Sequence, residues 1–448
     1  MPRVCVVGGG LSGSELVYQL SKRGIDVTLY EPRLSGEYKE GAHSTEKLAE
    51  LVCSNSLRSN KLHTAAGLLK EELRLYGSFL IEIADKTSVP AGDSLAVSRE
   101  DFSDAVTKTI LSLPKLTLRT EEVRCLSELI DDYDAICICA GPLVSKSLSQ
   151  DLKKIIGEVD LYFYDAIAPL VSFESLDMDV CFKASRYGDL GEEGDYINCP
   201  MSRSGYYSFV EELLKAKKAP LHEGDEGVFF RGCMPIEAMA EDAPDTLLNG
   251  PMRGDGLVNF HNYTVPYAAV QLRQDNFSAS IYNMVGFQTR LTYPEQERIF
   301  RTIPGLEKVE FIRHGSMHRN TFINAPKLLN EDLALKTCPK VFICGQLSGV
   351  EGYIESIASA FYAVSGVSRS IFGSPFFDFP SETAMGSLRN YLLGADTKNF
   401  QPMKINFGLL PPLSVDDKKN FLDRGAKKHE TRLALSRRSI DKLKKIFV

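Results

Sequence analysis

The first thirty residues show a hydrophobic pattern that predicts a strand, a helix and a second strand. Residues 3 to 7, RVCVV, form an apolar run, and a glycine-rich turn follows in which Gly8, Gly10 and Gly13 make G-x-G-x-x-G. A helical pattern comes next, and IDVTLYEPR then predicts a strand that ends at Glu31. The order strand, glycine turn, helix and strand indicates a β-α-β unit.

Each part of this unit has a role in dinucleotide binding. Glycines let the backbone approach a pyrophosphate, the helix N-terminus attracts its charge, and the acid at the end of the second strand accepts the ribose hydroxyls. That acid follows the last glycine by eighteen residues, as the fingerprint requires. We therefore predict a cofactor cradle formed by Gly8, Gly9, Gly10, Leu11, Ser12, Gly13 and Glu31.

A second strand, glycine turn and long helix lie near the other end of the chain, from Val341 to Ala363. Residues 133 to 142, YDAICICAGP, predict a buried strand that returns to the first sheet. This combination is typical of FAD proteins whose flavin domain is split by an insertion, so FAD is favoured over NAD as the tightly held cofactor. Expected cofactor contacts at the second turn are Gly345, Gly349, Glu351, Gly352 and Tyr353.

The middle of the chain has a different pattern. Aromatic-rich alternating segments, bounded by turn signals, predict a largely β insertion with one or two helices. We predict an α/β fold in which a split Rossmann-like FAD-binding domain, residues 1–145 and 331–448, carries an inserted α+β substrate domain at 146–330. The last part of the chain is rich in proline and phenylalanine and then becomes basic and helical.

Composition excludes several classes of protein. The chain is 44% hydrophobic and 25% charged, which argues against long disorder, collagen-like repeats and coiled coil. No stretch approaches the roughly 20 apolar residues of a spanning helix, and the N-terminus lacks a secretory pattern. We expect a cytoplasmic protein without a membrane partner, and nothing in the sequence indicates an obligate protein partner.

Charge is distributed unevenly. The net charge is -7, yet residues 418 to 448 contain eleven Lys and Arg against three acids. A basic segment on an acidic protein favours an acidic partner such as RNA, since phosphate contacts need Lys and Arg. The alternative interpretation is a solvated surface helix.

The ten cysteines are scattered without CxxC pairs, which predicts free thiols and no metal site. Cys137, Cys139 and Cys344 fall in buried-strand patterns, whereas Cys53 and Cys233 do not. Cys233 stands between an apolar run and the helix-prone IEAMAED, where a helix N-terminus would favour the thiolate. The alternative is an inert, buried thiol.

Nine stretches, in order along nearly the whole chain, resemble the folate- and FAD-dependent tRNA uracil-5-methyltransferases (TrmFO), whose fold is GidA-like. The stretches are AELVCSNSLRS (49–59), SVPAGDSLAVSRE (88–100), LYFYDAIAP (161–169), YINCPM (196–201), GCMPIEAMA (232–240), PYAAVQLRQDN (266–276), MHRNTFINAP (317–326), GQLSGVEGYIES (345–356) and NFQPMKINFGLLPPL (399–413).

The resemblance implies a reaction in which methylenetetrahydrofolate supplies carbon, reduced FAD supplies electrons, NAD(P)H reduces the flavin, and a T-loop uridine of tRNA becomes 5-methyluridine. It also implies that Cys53 and Cys233 are the two functional cysteines. Uracil C5 becomes nucleophilic once a thiolate adds at C6, and a base must then remove the C5 proton. We assign Cys233 to the attack and Cys53 to proton removal or methylene release, although the roles are interchangeable on the sequence alone.

Further matched polar residues are candidates for holding the pterin, the uracil or phosphate, with a structural network as the alternative. They are Ser54, Arg58, Arg273, Asn276, His318, Arg319 and Asn320.

Some positions depart from the family pattern. Arg231 stands where an acid is usual before Gly-Cys, Ala360 stands where glycine is common, and residues 251–257 and 288–293 also differ. Arg231 would favour a thiolate at Cys233 if its side chain points inward. These differences leave the RNA target less constrained than the chemistry.

Four other functions remain open on the sequence. The larger GidA-type wobble-uridine enzymes share the flavin fold, but this sequence lacks their long helical C-terminal region. A ribosomal RNA uridine could replace tRNA as the target. An NAD(P)H-dependent FAD oxidoreductase of a small molecule would not need paired cysteines, and an RNA-binding protein without catalysis would not retain them.

Overall fold

The computed structural model describes residues 2–38, 43–157, 161–187, 194–220, 234–398, 400–421 and 427–447. The side chains of 161–166 and of 318–319 lie outside this description.

The chain begins with the predicted β-α-β unit and continues with alternating strands and helices. The first half contains β1 (Arg3–Val7), α1 (Leu11–Lys22), β2 (Asp26–Tyr30), β3 (Ser56–Ser59), α2 (Ala65–Leu75), α3 (Phe79–Lys86), β4 (Ser88–Val89), β5 (Ser94–Val97), α4 (Arg99–Leu111), β6 (Leu116–Arg119), β7 (Ala135–Ile138), α5 (Lys146–Ile156), β8 (Leu161–Ile167), β9 (Leu170–Ser172), β10 (Phe182–Lys183), β11 (Tyr196–Met201) and α6 (Arg203–Lys215). The second half contains α7 (Ile236–Asp242), β12 (Ala268–Gln274), β13 (Ile281–Met284), α8 (Tyr293–Phe300), β14 (Phe311–Arg313), β15 (Ser316–Phe322), α9 (Ala325–Leu328), β16 (Ala334–Leu335), β17 (Cys338–Ile343), α10 (Tyr353–Phe372), α11 (Ala384–Gly394), α12 (Val415–Phe421) and α13 (Lys428–Phe447).

A six-stranded sheet in the order β16-β17-β7-β1-β2-β6 forms the first domain. All neighbouring strands are parallel except β16, which is antiparallel to β17. Its central strands are apolar throughout because helices cover both faces of such a sheet. Cys137, Cys139 and Cys344 are buried within it, as predicted. Glycine turns follow β1 and β17, so both turns lie at the same edge of the sheet, where ligands of this fold class bind.

The insertion has its own sheet and its own core. Its six strands lie in the order β10-β11-β12-β13-β9-β14, with antiparallel pairing throughout. Three helices, α6, α7 and α8, accompany this sheet, one more than the sequence pattern predicts. Its hydrophobic cluster runs from Val171 to Val309, whereas α5 and α9 pack in the core of the first domain. We therefore propose that the insertion is shorter at both ends than 146–330.

A two-stranded antiparallel ribbon, β8 with β15, connects the insertion to the first domain. Its register runs from Leu161 opposite Phe322 to Ile167 opposite Ser316. The chain thus leaves and re-enters the first domain at adjacent positions.

The C-terminal helix α13 packs against α2. The Ser436 hydroxyl donates to the Leu62 carbonyl oxygen at 2.6 Å, and the Ser439 hydroxyl donates to the buried carboxylate of Glu72. Glu72 also accepts the first two N–H groups of α11, from Ala384 at 2.7 Å and Met385 at 2.8 Å. One buried carboxylate therefore joins three helices, and the basic segment predicted to be helical is an integral part of the domain. Among the described helices, none has both the length and the apolar character that crossing a bilayer demands.

Candidate functional site

The glycine turn after β1 is packed too closely for side chains at two of its positions. Gly8 has φ +100°, and a Cβ there would lie 2.5 Å from the Cys139 carbonyl oxygen. A Cβ on Gly13 would lie 1.9 Å from the Gly8 carbonyl oxygen. Because no real Cβ approaches an oxygen so closely, glycine is required where α1 meets β1. The close packing sets the N-terminus of α1 at the end of β1, where the N–H groups of its first turn have no partner within the helix and can bind an anion.

Glu31, at the end of β2, is buried and held in one orientation. The Gly9 N–H donates to its Oε2 at 2.7 Å, and the Arg33 guanidinium donates to both carboxylate oxygens at 2.9 Å. Burial alone would raise the pKa of Glu31, but the hydrogen bonds and positive charge of Arg33 dominate and lower it. The acid is thus ionised at neutral pH, as acceptance from ribose hydroxyls requires. Arg33 is not part of the dinucleotide fingerprint, although it lies only two residues after the acid.

A cleft begins at this turn. Its wall has glycine backbone at one place and an ionised acid at another, which is the chemistry that a dinucleotide needs. The predicted cofactor residues in its wall are Gly8, Gly10, Leu11, Ser12, Glu31, Gly345 and Tyr353. Gly349 is placed elsewhere: a Cβ on it would lie 2.4 Å from the Phe400 ring, so it provides room for packing.

A second cavity, with 1110 Å³ of open space, continues from the first. The two share Val52, Pro142, Leu143, Gln346 and Tyr353 in their walls. The predicted residues that line the second cavity are Cys53, Ser54, Arg58, Arg273, Asn320, Glu351 and Gly352. The structure therefore brings together residues from the first domain, the insertion and the second glycine turn around one space.

The Cys53 thiol meets the Tyr353 hydroxyl at this junction. The Cys53 Sγ and Tyr353 Oη atoms are 2.9 Å apart. The same oxygen accepts the backbone N–H groups of Cys53 at 2.9 Å and Ser54 at 3.1 Å. Two accepted bonds occupy the lone pairs of the phenol oxygen, so its own hydrogen is donated to the sulfur. Burial is the main cause that raises the pKa of Tyr353 well above its usual value, and the charge of the adjacent Cys53 raises it further. The phenol therefore keeps its hydrogen.

An O–H donor aimed at sulfur favours the thiolate, because hydrogen bonds to an ionised acceptor are stronger than those to a neutral one. The geometry therefore prepares Cys53 to accept a proton or to attack an electrophilic carbon.

The loop that carries Cys53 is fixed from two further directions. Arg99, at the start of α4, donates to the Leu51 carbonyl oxygen and pairs with Asp275 of the insertion at 2.7 Å. Arg273, on β12, donates to the Ser54 hydroxyl at 2.8 Å and to the Asn55 side-chain oxygen at 3.0 Å. Arg273 thus orients the loop directly, and the loop position depends on the docking of the insertion.

Arg58, also in the wall, has a left-handed backbone with φ +65° and pairs with the fully buried Glu355. The Ile405 N–H donates to the same Glu355 oxygen at 2.9 Å. Glu355 was missed in the sequence because it lies within an apolar helix, where a lone acid is a weak signal.

The chain is similar in sequence and in fold to known proteins. The family model described as glucose inhibited division protein A matches residues 3–375. The chain belongs to this family. A solved structure of Aquifex aeolicus GidA has a TM-score of 0.69 with 15% identity, covering 99% of this chain and 73% of that chain. The predicted GidA-like fold is thereby confirmed.

Within the family, the chain is similar over nearly its full length to proteins named methylenetetrahydrofolate--tRNA-(uracil-5-)-methyltransferase TrmFO. It is 50% identical over 411 residues to that of Natranaerobius thermophilus, which covers 92% of this chain and 93% of the relative. It is 48% identical over 427 residues to that of Bacillus velezensis, which covers 95% and 96% respectively. The chain belongs to the TrmFO family, and the resemblance seen in the sequence is confirmed.

Among the residues predicted from the TrmFO resemblance, Asn276 lies away from the second cavity, and others lie outside the description. Asn276 lies in the turn after β12, where its side-chain oxygen accepts the N–H groups of Ser280 and Ile281 at 3.0 and 3.2 Å. His318 and Arg319 lie on β15, but their side chains are outside the description. Cys233 and Arg231 are also outside the described residues, so their roles stay predictions.

We expect Tyr353→Phe to lower the rate of methyl transfer about 10- to 100-fold, since hydrogen bonds to a charged group contribute about 1.5–3 kcal/mol. The bound FAD should be unaffected. The readout specific to the proposed contact is alkylation of Cys53 by iodoacetamide across pH, which should shift to higher pH when the O–H donor is removed.

The matched control is Tyr391→Phe, whose hydroxyl donates to the Gln401 carbonyl oxygen at 2.7 Å and lines neither cavity. If Tyr353→Phe leaves both the transfer rate and the alkylation profile like those of the control, the hydroxyl has no part in preparing the thiol.

Proposed function

We propose that this protein methylates C5 of a uridine in RNA, the T-loop uridine of tRNA, with methylenetetrahydrofolate as carbon donor and NAD(P)H-reduced FAD as reductant. The observation that carries the proposal is the contact between the Cys53 thiol and the Tyr353 hydroxyl at the place where the two cavities meet. A dinucleotide cleft next to a second, thiol-lined cavity suits a reaction that brings a flavin, a folate and a base together. The names of the relatives support the same donor, acceptor and atom.

FAD would be held by the glycine turn after β1, by Glu31 and by the turn before α10. When bound, the flavin supplies the electrons for reduction and the folate supplies the one-carbon unit. The protein contributes orientation and proton transfer.

Two protein groups are needed because uracil C5 is a weak nucleophile. One thiolate adds to C6, and the resulting enolate attacks the donated carbon through C5. A base then takes the proton from C5, and the electrons of that C–H bond form a C5=CH2 double bond as the carbon separates from its carrier. Two-electron reduction of that methylene, with electrons that a bound reduced flavin would supply, gives the methyl group, re-forms the C5=C6 bond and expels the first thiolate from C6. We assign the addition to Cys233 and the proton removal to Cys53. A Cys53 thiolate that already accepts the Tyr353 hydroxyl is suited to receive a proton.

The second cavity has the polar wall that an extruded base needs. A T-loop uridine must leave its stack to reach a thiol in the wall of a cavity. Arg58, Arg273 and Asn320 line the space and present donors suited to the uracil carbonyls or to the folate carboxylates. Because the substrate is a cellular tRNA, the proposal also places the enzyme in the cytoplasm.

The test is transfer of labelled carbon from methylenetetrahydrofolate to an unmodified tRNA transcript by the purified protein with NADPH. We expect label in 5-methyluridine and none when folate or NADPH is omitted. Label only in ribosomal RNA transcripts would change the substrate but keep the chemistry. NADPH oxidation without label in either RNA would contradict the proposal and favour a small-molecule oxidoreductase.

A further inference from the structure

The basic C-terminal segment predicted to contact an acidic partner contains helix α13, which packs on the first domain. The helix contains seven Lys and Arg residues and two acids, within a protein of net charge -7. A protein that repels polyanions overall must concentrate its positive charge where it binds one. The position of these charges therefore indicates where a polyanion would bind.

Most of the positive charge on α13 is free to bind a ligand. Within the described residues, Arg438 pairs with Asp417 at 3.6 Å and Lys442 pairs with Glu382 at 3.4 Å. In the same part of the chain, Lys428, Arg432 and Arg437 have no carboxylate within ion-pair distance. The backbone of α13 is anchored through Ser436 and Ser439, so these charges are presented on a fixed support.

The N-terminal end of α13 is an unfavourable place for cations in an isolated helix. Helix dipoles favour acids in the first turn and bases in the last. Here Lys427 precedes the helix, and Lys428 and His429 begin it, all three exposed, with Glu430 as the acid in the first turn. An anion at this end would interact favourably with both the helix end and the lysines.

Two separate segments lead from the wall of the second cavity to this end of α13. One begins at Arg58 and continues into the turn before α2, where the His63 ring lies 4.5 Å from the His429 ring. The other begins at Lys404 and continues to Phe407, whose ring lies 5.8 Å from the Arg432 guanidinium carbon. No more than five residues therefore separate each of these contacts with the basic end of the helix from a residue in the cavity wall.

We propose that Lys427, Lys428, His429 and Arg432, at the N-terminal end of α13, form a phosphate-binding surface, which we call the α13 surface, for the stem beside the target loop of the RNA. This inference rests on the proposed function and names the place where its substrate docks. From Lys427 to Arg432 the helix rises about 8 Å, which is enough to meet adjacent phosphates of a stem. Lys404, which lines the second cavity, pairs with Glu351 at 3.8 Å and is not part of this surface.

The test compares binding of unmodified tRNA transcript to the wild type and to the double variant Lys428→Gln/Arg432→Gln. We expect the Kd and the KM for tRNA to rise about 10- to 100-fold at 0.15 M salt, and the slope of log Kd against log salt to fall by about two, one unit for each phosphate that is no longer neutralised. The kcat at saturating tRNA, the FAD content and tRNA-independent NADPH oxidation should not change.

The matched control is Lys108→Gln/Lys308→Gln, which removes two exposed charges on α4 and in the insertion. Since Arg432 also packs on Phe407, the single variant Lys428→Glu separates the effect of charge from the effect of packing. It should weaken tRNA binding more than Lys108→Glu does.

If the wild type methylates tRNA but the α13 variants have the same Kd and salt slope as the control, this inference is wrong and the proposed function is unaffected. A wild type that binds tRNA in an α13-dependent way without methylating it would support the surface and contradict the function.

Discussion

Cys53→Ala is expected to lower methyl transfer about 10²- to 10⁴-fold, the usual contribution of a positioned acid or base. The physical reason is that Cys53 is the described thiol that lines the second cavity, held at 2.9 Å from a hydroxyl that favours its ionised form. FAD content and melting temperature should stay close to those of the wild type, because the side chain is small and half-exposed. Label transfer to tRNA in single turnovers is the measurement.

Comparison with Cys233→Ala separates the two roles. Without a base, the C5 proton stays, the thiolate at C6 cannot leave, and Cys53→Ala should accumulate protein covalently attached to tRNA. Cys233→Ala should form no such complex. The opposite pattern would exchange the roles of the two thiols, and normal turnover by either variant would remove that cysteine from the mechanism. Cys338→Ala is the matched control, because Cys338 is also half-exposed and free but lines neither cavity.

Gly13→Ala is expected to yield protein that loses its FAD. Its Cβ would lie 1.9 Å from the Gly8 carbonyl oxygen, so α1 would have to shift away from the glycine turn. Overpacking costs typically 1–3 kcal/mol and occasionally more, which corresponds to a loss of affinity of up to about 100-fold or beyond. Titration of the apoprotein with FAD, followed by flavin fluorescence, measures the change.

Gly394→Ala serves as the control for the added methyl group. A Cβ at Gly394, the last residue of α11, would meet nothing within 4 Å, and alanine there should be neutral or slightly stabilising. If Gly13→Ala binds FAD with the same affinity as this control, the turn adapts to the added methyl group without cost. Its close packing then does not determine the affinity for the cofactor.

Local patterns were sufficient to predict that the residues of the proposed cofactor cradle lie together. Gly8, Gly13 and Glu31 lie within one β-α-β unit, so spacing alone relates them. The contact between Cys53 and Tyr353 joins residues that are 300 positions apart in the sequence. A hydrophobic periodicity describes only local structure and cannot predict such a contact. The thiol was found through the family resemblance, but its partner was assigned only to the flavin.

Some residues were predicted to bind a ligand only because they lie in the same motif as residues that reach the site. Arg273 lies on β12 and reaches the cavity, whereas Asn276 in the same QLRQDN stretch lies beyond the strand and caps a turn. Gly349 belongs to a glycine-rich turn, yet its lack of a side chain makes room for Phe400, which is remote in sequence. Glu355 pairs with Arg58, a residue 297 positions away that only tertiary packing brings to it. Arg33, in contrast, pairs with Glu31 only two residues before it.

The order of strands in the first sheet constrains how the chain folds during synthesis. β7 ends at Ile138, and its partner β17 begins only at Cys338, after the whole insertion. At roughly 5–20 residues per second, the ribosome leaves one edge of β7 unpaired for on the order of 10 to 40 seconds. The insertion, with a core limited to residues 171–309, can fold completely in that interval. Nascent chains should therefore expose an apolar strand edge, a recognised site of aggregation, and depend on chaperones until β17 emerges and closes the sheet.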